Sequence, residues 1–516
     1  MSSSAQHSRT WSTVTIDLNE APFLSLDYED EVVYEESHRG IKYGSIVGLV
    51  EQLTRHDRLD VSFNETFLMT YPTFVSAAEF FEILLQRLNL PPPPDLTESD
   101  LHRWTEQKQK TIRFRVLNIL KTWVERYWME PPTEATMEFL RHIHAYLTSS
   151  PALVSIPACA PLLTVIENRL KGQDIMKRLI SPPNTSVPKP VTPKNMKKLK
   201  LLDLDATELA RQLTIIESRL YARIRPAECL NKGWQRKDSI PNPATAHRAS
   251  VCTADSRSSS SSSTDPNHSG INAMIMHSNQ LASWVGETIL AQDEMKKRVS
   301  LIKQFVQIAD SCQTLQNYAT MMSLISGLGT TPIYRLRRTW SQVSPRIRST
   351  LETMRSVMSS ERNFTHYRET LRGTSPPCVP FLGIHLSDLT FTTDGNPDST
   401  PPPESFINFQ KRTKIASILH EMQTYQNMPY TLYPVAEIQE FIIRSIQGAG
   451  DMDLYGRSLE VEPRVGGEER VMGSPGGGGG SGGPYTATGS HMSSVVIASM
   501  AMRGGGGGGA GGMRWV

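Results

Sequence analysis

Apolar positions recur with a helical period over most of the first 464 residues. Ile46, Leu49, Val50 and Leu53 share one helix face. Residues 80–88 form a strongly apolar segment that the prolines at 91–94 stop. Ile112, Val116, Ile119, Leu120, Trp123 and Tyr127 make a long stripe closed by Pro131 and Pro132. Met137, Leu140, Ile143 and Leu147 make the next. The pattern predicts a bundle of about four or five helices over 38–150, behind an irregular acidic segment at 1–37.

Residues 151–203 read as a connection, helical at first and then rich in proline and lysine (SPPNTSVPKPVTPKNMKKLK). A second helical block is predicted over 204–464. Asp205, Ala206, Thr207 and Glu208 supply the capping residues of its first helix, Leu209, Leu213, Ile216, Leu220 and Ile224 supply its stripe, and Pro226 ends it. Residues 235–270 interrupt the block with a polar, serine-rich stretch that buries too little apolar area to offset its ordering entropy. Helical periodicity resumes on the far side, so this stretch reads as a disordered insertion inside one domain. Period-2 runs are scarce. The predicted class is all-α, with two helical modules and a disordered glycine-rich tail at 465–516.

Composition sharpens this division. The chain has 516 residues and 34 glycines, and 19 of those glycines lie in the tail. The remaining 15 leave a glycine-poor body, which favours helices over tight-turn architectures. Lysine and arginine total 54 against 52 aspartates and glutamates, so no bulk charge draws the chain to nucleic acid. Cys159, Cys229, Cys252, Cys312 and Cys378 are scattered without CxxC spacing, which suits a reducing compartment. The first twenty residues lack the apolar core of a secretory leader, and no run of ~18 apolar residues suggests a membrane span. There is no Walker A loop, HExxH motif or EF-hand loop. His142 and His144 are two apart and cannot share a helix face as metal ligands. No cofactor, metal or bond-making site is expected, and the partner should be a macromolecule.

Some stretches are specific beyond periodicity. ELARQLTIIESRLYARIRPAECL (208–230), TTPIYRL (330–336), SPPCVPFLGIHLSDLTFTTDGNP (375–397) and FINFQKRTKIASIL (406–419) resemble the Ras-family guanine-nucleotide exchange factors of the Son-of-sevenless and fungal cell-division-cycle type. IKYGSIVGLVEQLT (41–54) and FLMTYPTFVSAAEFFEILLQRL (67–88) resemble that family's N-terminal exchanger motif. The resemblance covers 38–150 and 204–464, in the family's order.

The resemblance implies a cytoplasmic exchanger, recruited to the plasma membrane, that drives a helical hairpin into the nucleotide site of a small GTPase. Ser387, Thr390, Asp394 and Asn396 fall on the hairpin's working edge. A carboxylate at Asp394 can accept hydrogen bonds from a lysine or hydroxyl that otherwise serves phosphate or Mg²⁺. Thr390 stands where some members carry a leucine, with less apolar bulk to exclude the metal. The surface that grips the GTPase's mobile switch maps onto Met274, Ile275, Met276, Met322, Gly329, Phe364 and Phe381. Met274, Ile275 and Met276 are consecutive, so at least one of them must be core. The lysines within 189–200 are candidates for an anionic membrane surface. The rival reading is a catalytically silent helical scaffold that binds a GTPase or other proteins.

Overall fold

Short polar side chains start the first helices. Ser45, Asp60, Ser76 and Thr133 each accept a backbone N–H three residues on, capping Ile46–Thr54, Val61–Thr70, Ala77–Leu88 and Glu134–Ser149. The computed structural model describes residues 21–35, 40–173, 187–235, 269–402 and 405–464. The glycine-rich tail and most of the serine-rich insertion lie outside the described residues. The chain divides into two units: Met1–Met176 with Pro397–Ala416, and Lys177–Asn396 with Ser417–Val516.

In the first unit, Trp123 on the helix Lys110–Arg126 sets the core. Its ring meets Phe80 edge-on at 4.9 Å and Tyr71 at 5.6 Å. The unit runs past the predicted limit at 150. Pro151 opens a short helix, where a missing N–H costs nothing. The helix Cys159–Leu170 then buries Cys159, Leu162, Val165 and Ile166 in the same cluster.

The acidic segment is also more ordered than its composition suggests. The Glu51 carboxylate accepts the backbone N–H groups of Asp27 and Tyr28 at 3.0 and 2.8 Å. Arg87 and Lys108 each reach Asp27 at 2.8 Å. Burial works against the Asp27 charge, but the Lys108 ammonium and the Arg87 guanidinium prevail and hold its carboxyl below the ordinary range.

Three short strands form an antiparallel sheet in the order β1 (Val32–Tyr34), β2 (Ile41–Gly44), β3 (Ile407–Asn408). Tyr43 pairs with Asn408 and Gly44 with Ile407. Thus residues from late in the chain complete the first unit. Phe409 packs against Phe63 with ring centres 4.7 Å apart and the planes tilted by 30°.

The regular elements described in the second unit are helices. The helices Ala206–Ala222, Gly270–Leu290, Met295–Thr314 and Tyr318–Gly329 pack on one another. One close crossing is at Gly327, where a Cβ would stand 2.6 Å from the Ala282 carbonyl oxygen. Only glycine permits that approach. A buried polar network joins three of these helices. Asn317 Nδ2 donates to the hydroxyls of Thr214 and Thr320 at 3.0 and 2.8 Å, and His277 Nε2 lies 3.0 Å from the Glu217 carboxylate. Burial disfavours the His277 charge, yet the Glu217 carboxylate outweighs it and raises the imidazole above its ordinary value. Of the predicted stripe on Ala206–Ala222, Ile216 and Leu220 are only half-buried, because Gln212, Thr214 and Glu217 occupy the interior face.

Candidate functional site: an exposed helix end

The helix Leu382–Gly395 changes character along its length. Leu382, Ile384, Leu386 and Leu389 are buried, as is His385, whose imidazole is pushed down to about 4 by desolvation and so stays neutral. Its start is fixed by the Phe381 N–H, which donates to the Tyr367 hydroxyl at 2.8 Å. The Phe381 ring lies so close that a Cβ on Gly383 would sit 2.7 Å from it. Asp388 forms a two-pronged ion pair with Arg368 at 2.7 and 2.8 Å, which ties this helix to Thr365–Arg372. The last turn then emerges: Phe391 is 72% exposed, and Asp394 and Gly395 are exposed.

The four predicted edge residues behave differently. Ser387, Thr390 and Asp394 lie at spacings of three and four and share a helix edge. Ser387 is half-buried and donates to the Gly383 carbonyl at 2.9 Å. Thr390 is 5% exposed, donates to the Leu386 carbonyl at 2.8 Å and accepts from Gln235 Nε2 at 3.4 Å. Asp394 pairs with Lys232. Asn396 donates to the Thr392 carbonyl at 2.9 Å, closing the helix end where the chain turns.

The predicted switch-gripping set divides into interior and surface. Met274, Met322, Phe364 and Phe381 are all at most 5% exposed and form core. Met274 is buried together with Ile271, Ser278 and Leu281, at the spacing of the face turned inward. Ile275 and Gly329 are half-buried and Met276 is 46% exposed. The expectation that one of the three consecutive residues is core is met by Met274. A Cβ on Gly329 would meet only Arg355, at 3.9 Å. Phe364 follows Arg362 and Asn363, and all three have φ between 47° and 59°, a left-handed stretch that Arg368 braces by donating to the Asn363 carbonyl.

Two aromatics more than two-thirds exposed were not singled out by the sequence reading. Phe391 is one. The other is Tyr334, 68% exposed, in the TTPIYRL stretch. Its neighbours are fixed: Trp340 Nε1 donates to the Ile333 carbonyl at 2.9 Å, and Arg335 donates to the carbonyls of Ser458 and Glu462 at 2.6 and 2.9 Å. The alternation of buried Ile333 and exposed Tyr334 within four residues left no periodic signal to find it.

Cys378 is buried, and burial pushes its thiol well above the ordinary range, away from a reactive thiolate. No cluster of three or more metal-ligating side chains occurs among the described residues. The helix end presents to solvent the Asp394 carboxylate and, three residues before it, the Phe391 ring.

Comparison with known proteins gives the chain a family. Residues 208–413 match the RasGEF domain and 40–144 the RasGEF N-terminal motif. Cell division control protein 25 of Saccharomyces cerevisiae is 34% identical over 470 residues, covering 86% of this chain and 28% of that protein. Its counterpart in Candida albicans is 35% identical over 449 residues, covering 86% and 31%. Ras guanine nucleotide exchange factor A of Dictyostelium discoideum is 33% identical over 469 residues, covering 88% of this chain and 69% of that protein. The chain belongs to the RasGEF family. It spans under a third of the length of the two fungal relatives.

Proposed function

We propose that this chain accelerates GDP release from a Ras-family small GTPase, presenting the exposed end of Leu382–Gly395 to the nucleotide site. The observation that carries the reading is the exposed Asp394 carboxylate on a helix whose other end is locked in the core. An acceptor held there competes with phosphate and Mg²⁺ for the lysine and hydroxyl donors of the GTPase. No bond is made or broken by the exchanger. By linkage, a protein that binds the empty GTPase more tightly than the loaded one weakens the nucleotide by the same factor. The nucleotide concentrations set the direction, GDP out and GTP in.

The test is affinity for the GTPase with and without nucleotide. Binding to the empty GTPase should be at least a hundredfold tighter than to the GDP·Mg²⁺ form. Equal affinities would instead describe a silent scaffold.

Tyr334 is assigned to partner binding on its exposure. Tyr334→Ala should weaken binding to the empty GTPase about tenfold, with a melting temperature within about 2 °C of wild type, as for surface substitutions generally.

Recruitment to anionic membrane is proposed for the linker. Lys189, Lys194, Lys197, Lys198 and Lys200 are all exposed. At about 1 kcal/mol per lysine near a charged surface, the full chain should co-sediment with phosphatidylserine vesicles at low salt and be released at high salt. Neutralising the five lysines should abolish that binding. No helix of the described residues is long and apolar enough to cross a membrane.

A further inference from the structure

The short segment Leu230–Gln235 packs on the helix Leu382–Gly395 within the second unit, over the edge assigned to the GTPase. Its Lys232 ammonium pairs with the Asp394 carboxylate, and its Gln235 amide reaches the Thr390 hydroxyl at 3.4 Å. Two of the four edge residues are therefore already engaged by this segment when no GTPase is bound. We propose that Lys232 is a built-in competitor: it occupies the Asp394 carboxylate, so an incoming GTPase must displace it before exchange begins. This rests on the exchange reading above.

Three features support a restraint rather than a chance surface contact. The segment is anchored, because Trp234, Cys229 and Leu230 are all at most 5% exposed. Its backbone is held in a disfavoured form. Asn231 has φ 53° and ψ 25°, and Lys232 has φ 52° and ψ 41°. Asparagine tolerates the left-handed region, but lysine has no local interaction to offset it, so the fold imposes the turn that carries Lys232. The third feature is chemical. An ammonium bound to Asp394 is the same kind of donor that a GTPase lysine would bring, so one carboxylate serves either but not both in the same geometry. The pair is also displaceable: the Lys232 and Asp394 side chains are 26% and 43% exposed, where an ion pair is worth only a few-fold in affinity.

The test is the initial rate of GDP release as a function of GTPase concentration, with the full chain. Lys232→Met keeps the apolar stem and removes the charge. It should lower the half-saturating GTPase concentration about two- to fivefold and leave the maximal rate unchanged. Lys232→Arg should stay near wild type. A half-saturating concentration that is unchanged or raised in Lys232→Met overturns the proposal, and a rise would make Lys232 a GTPase contact. A second readout needs no GTPase. Acetylation of Lys232 by an amine-reactive ester, read by mass spectrometry, should be at least twofold faster in Asp394→Asn than in wild type. Equal labelling overturns the pairing. Release by wild type with equal half-saturation removes this proposal alone. No release by any chain removes the exchange reading as well.

Discussion

Asp394→Ala should slow GDP release from a responsive GTPase at least tenfold while shifting the melting temperature by less than about 2 °C. A hydrogen bond to a charged acceptor contributes about 1.5–3 kcal/mol, and about 1.4 kcal/mol is a factor of ten in rate. Stability should not follow, because the carboxyl is exposed and its partner Lys232 can turn to water. A full loss of activity with an unchanged melt would place the group at the nucleotide site. A collapsed melt would make Asp394 structural. Asp394→Asn should recover part of the rate, since the amide oxygen still accepts but carries no charge. Phe381 is a poor companion substitution. It is 2% exposed, so Phe381→Ala should cost about 3–5 kcal/mol of stability whatever its role in exchange.

Arg412→Ala should lower the melting temperature by about 5–10 °C, from a stability loss of about 2–3 kcal/mol. The guanidinium is buried within the first unit. It donates to Thr73 Oγ1 at 3.2 Å and to the carbonyls of Thr73 and Asp398 at 3.3 and 3.2 Å, and pairs with the Asp398 carboxylate at 2.8 Å. It also lies over the Phe74 ring at 5.7 Å. Alanine would take from the half-buried Thr73 carbonyl its Arg412 donor, while the Asp398 carbonyl keeps the Asn408 N–H at 2.9 Å, and the ion pair's share is small because Asp398 is 71% exposed. Arg412→Lys should recover less than half of the loss, since an ammonium cannot reproduce the fork.

The same residue sets a pH dependence. Burial opposes the Asp398 charge, but Lys411 and Arg412 prevail and hold its carboxyl below the ordinary 3.8. A depressed carboxyl adds stability that is complete above its unfolded value and is lost as pH falls through the folded one. Wild type should therefore lose stability below about pH 4, and Arg412→Ala should lose less over the same range. Chemical denaturation at pH 7 and pH 3 measures both.

How much of this the sequence shows depends on the range of the interaction. The helices were legible because their apolar spacing and caps are local: Ser76 and Asp205 start their helices as their chemistry requires. The sheet was not, since its strands are two to four residues long and β3 joins from more than 350 residues away. The helix Cys159–Leu170 falls in the stretch read as a connection, helical at first, yet its apolar side chains join the first unit's core, which local pattern alone does not show. At the candidate site, the resemblance supplied both the hairpin and its edge residues, but not which end of the helix 382–395 is bare. It could not say that Phe364, Phe381, Met274 and Met322 are interior, because a methionine or phenylalanine serves core and interface alike. The Lys232–Asp394 pair, 162 residues apart, exists only in the folded chain.

The most direct test of the account is release of fluorescent GDP from a panel of Ras, Rap and Ral GTPases by the full chain and by Asp394→Ala. The expected result is acceleration of at least one GTPase by the wild-type chain, reduced at least tenfold in the variant. Acceleration of none, by a chain that melts cooperatively, would contradict it.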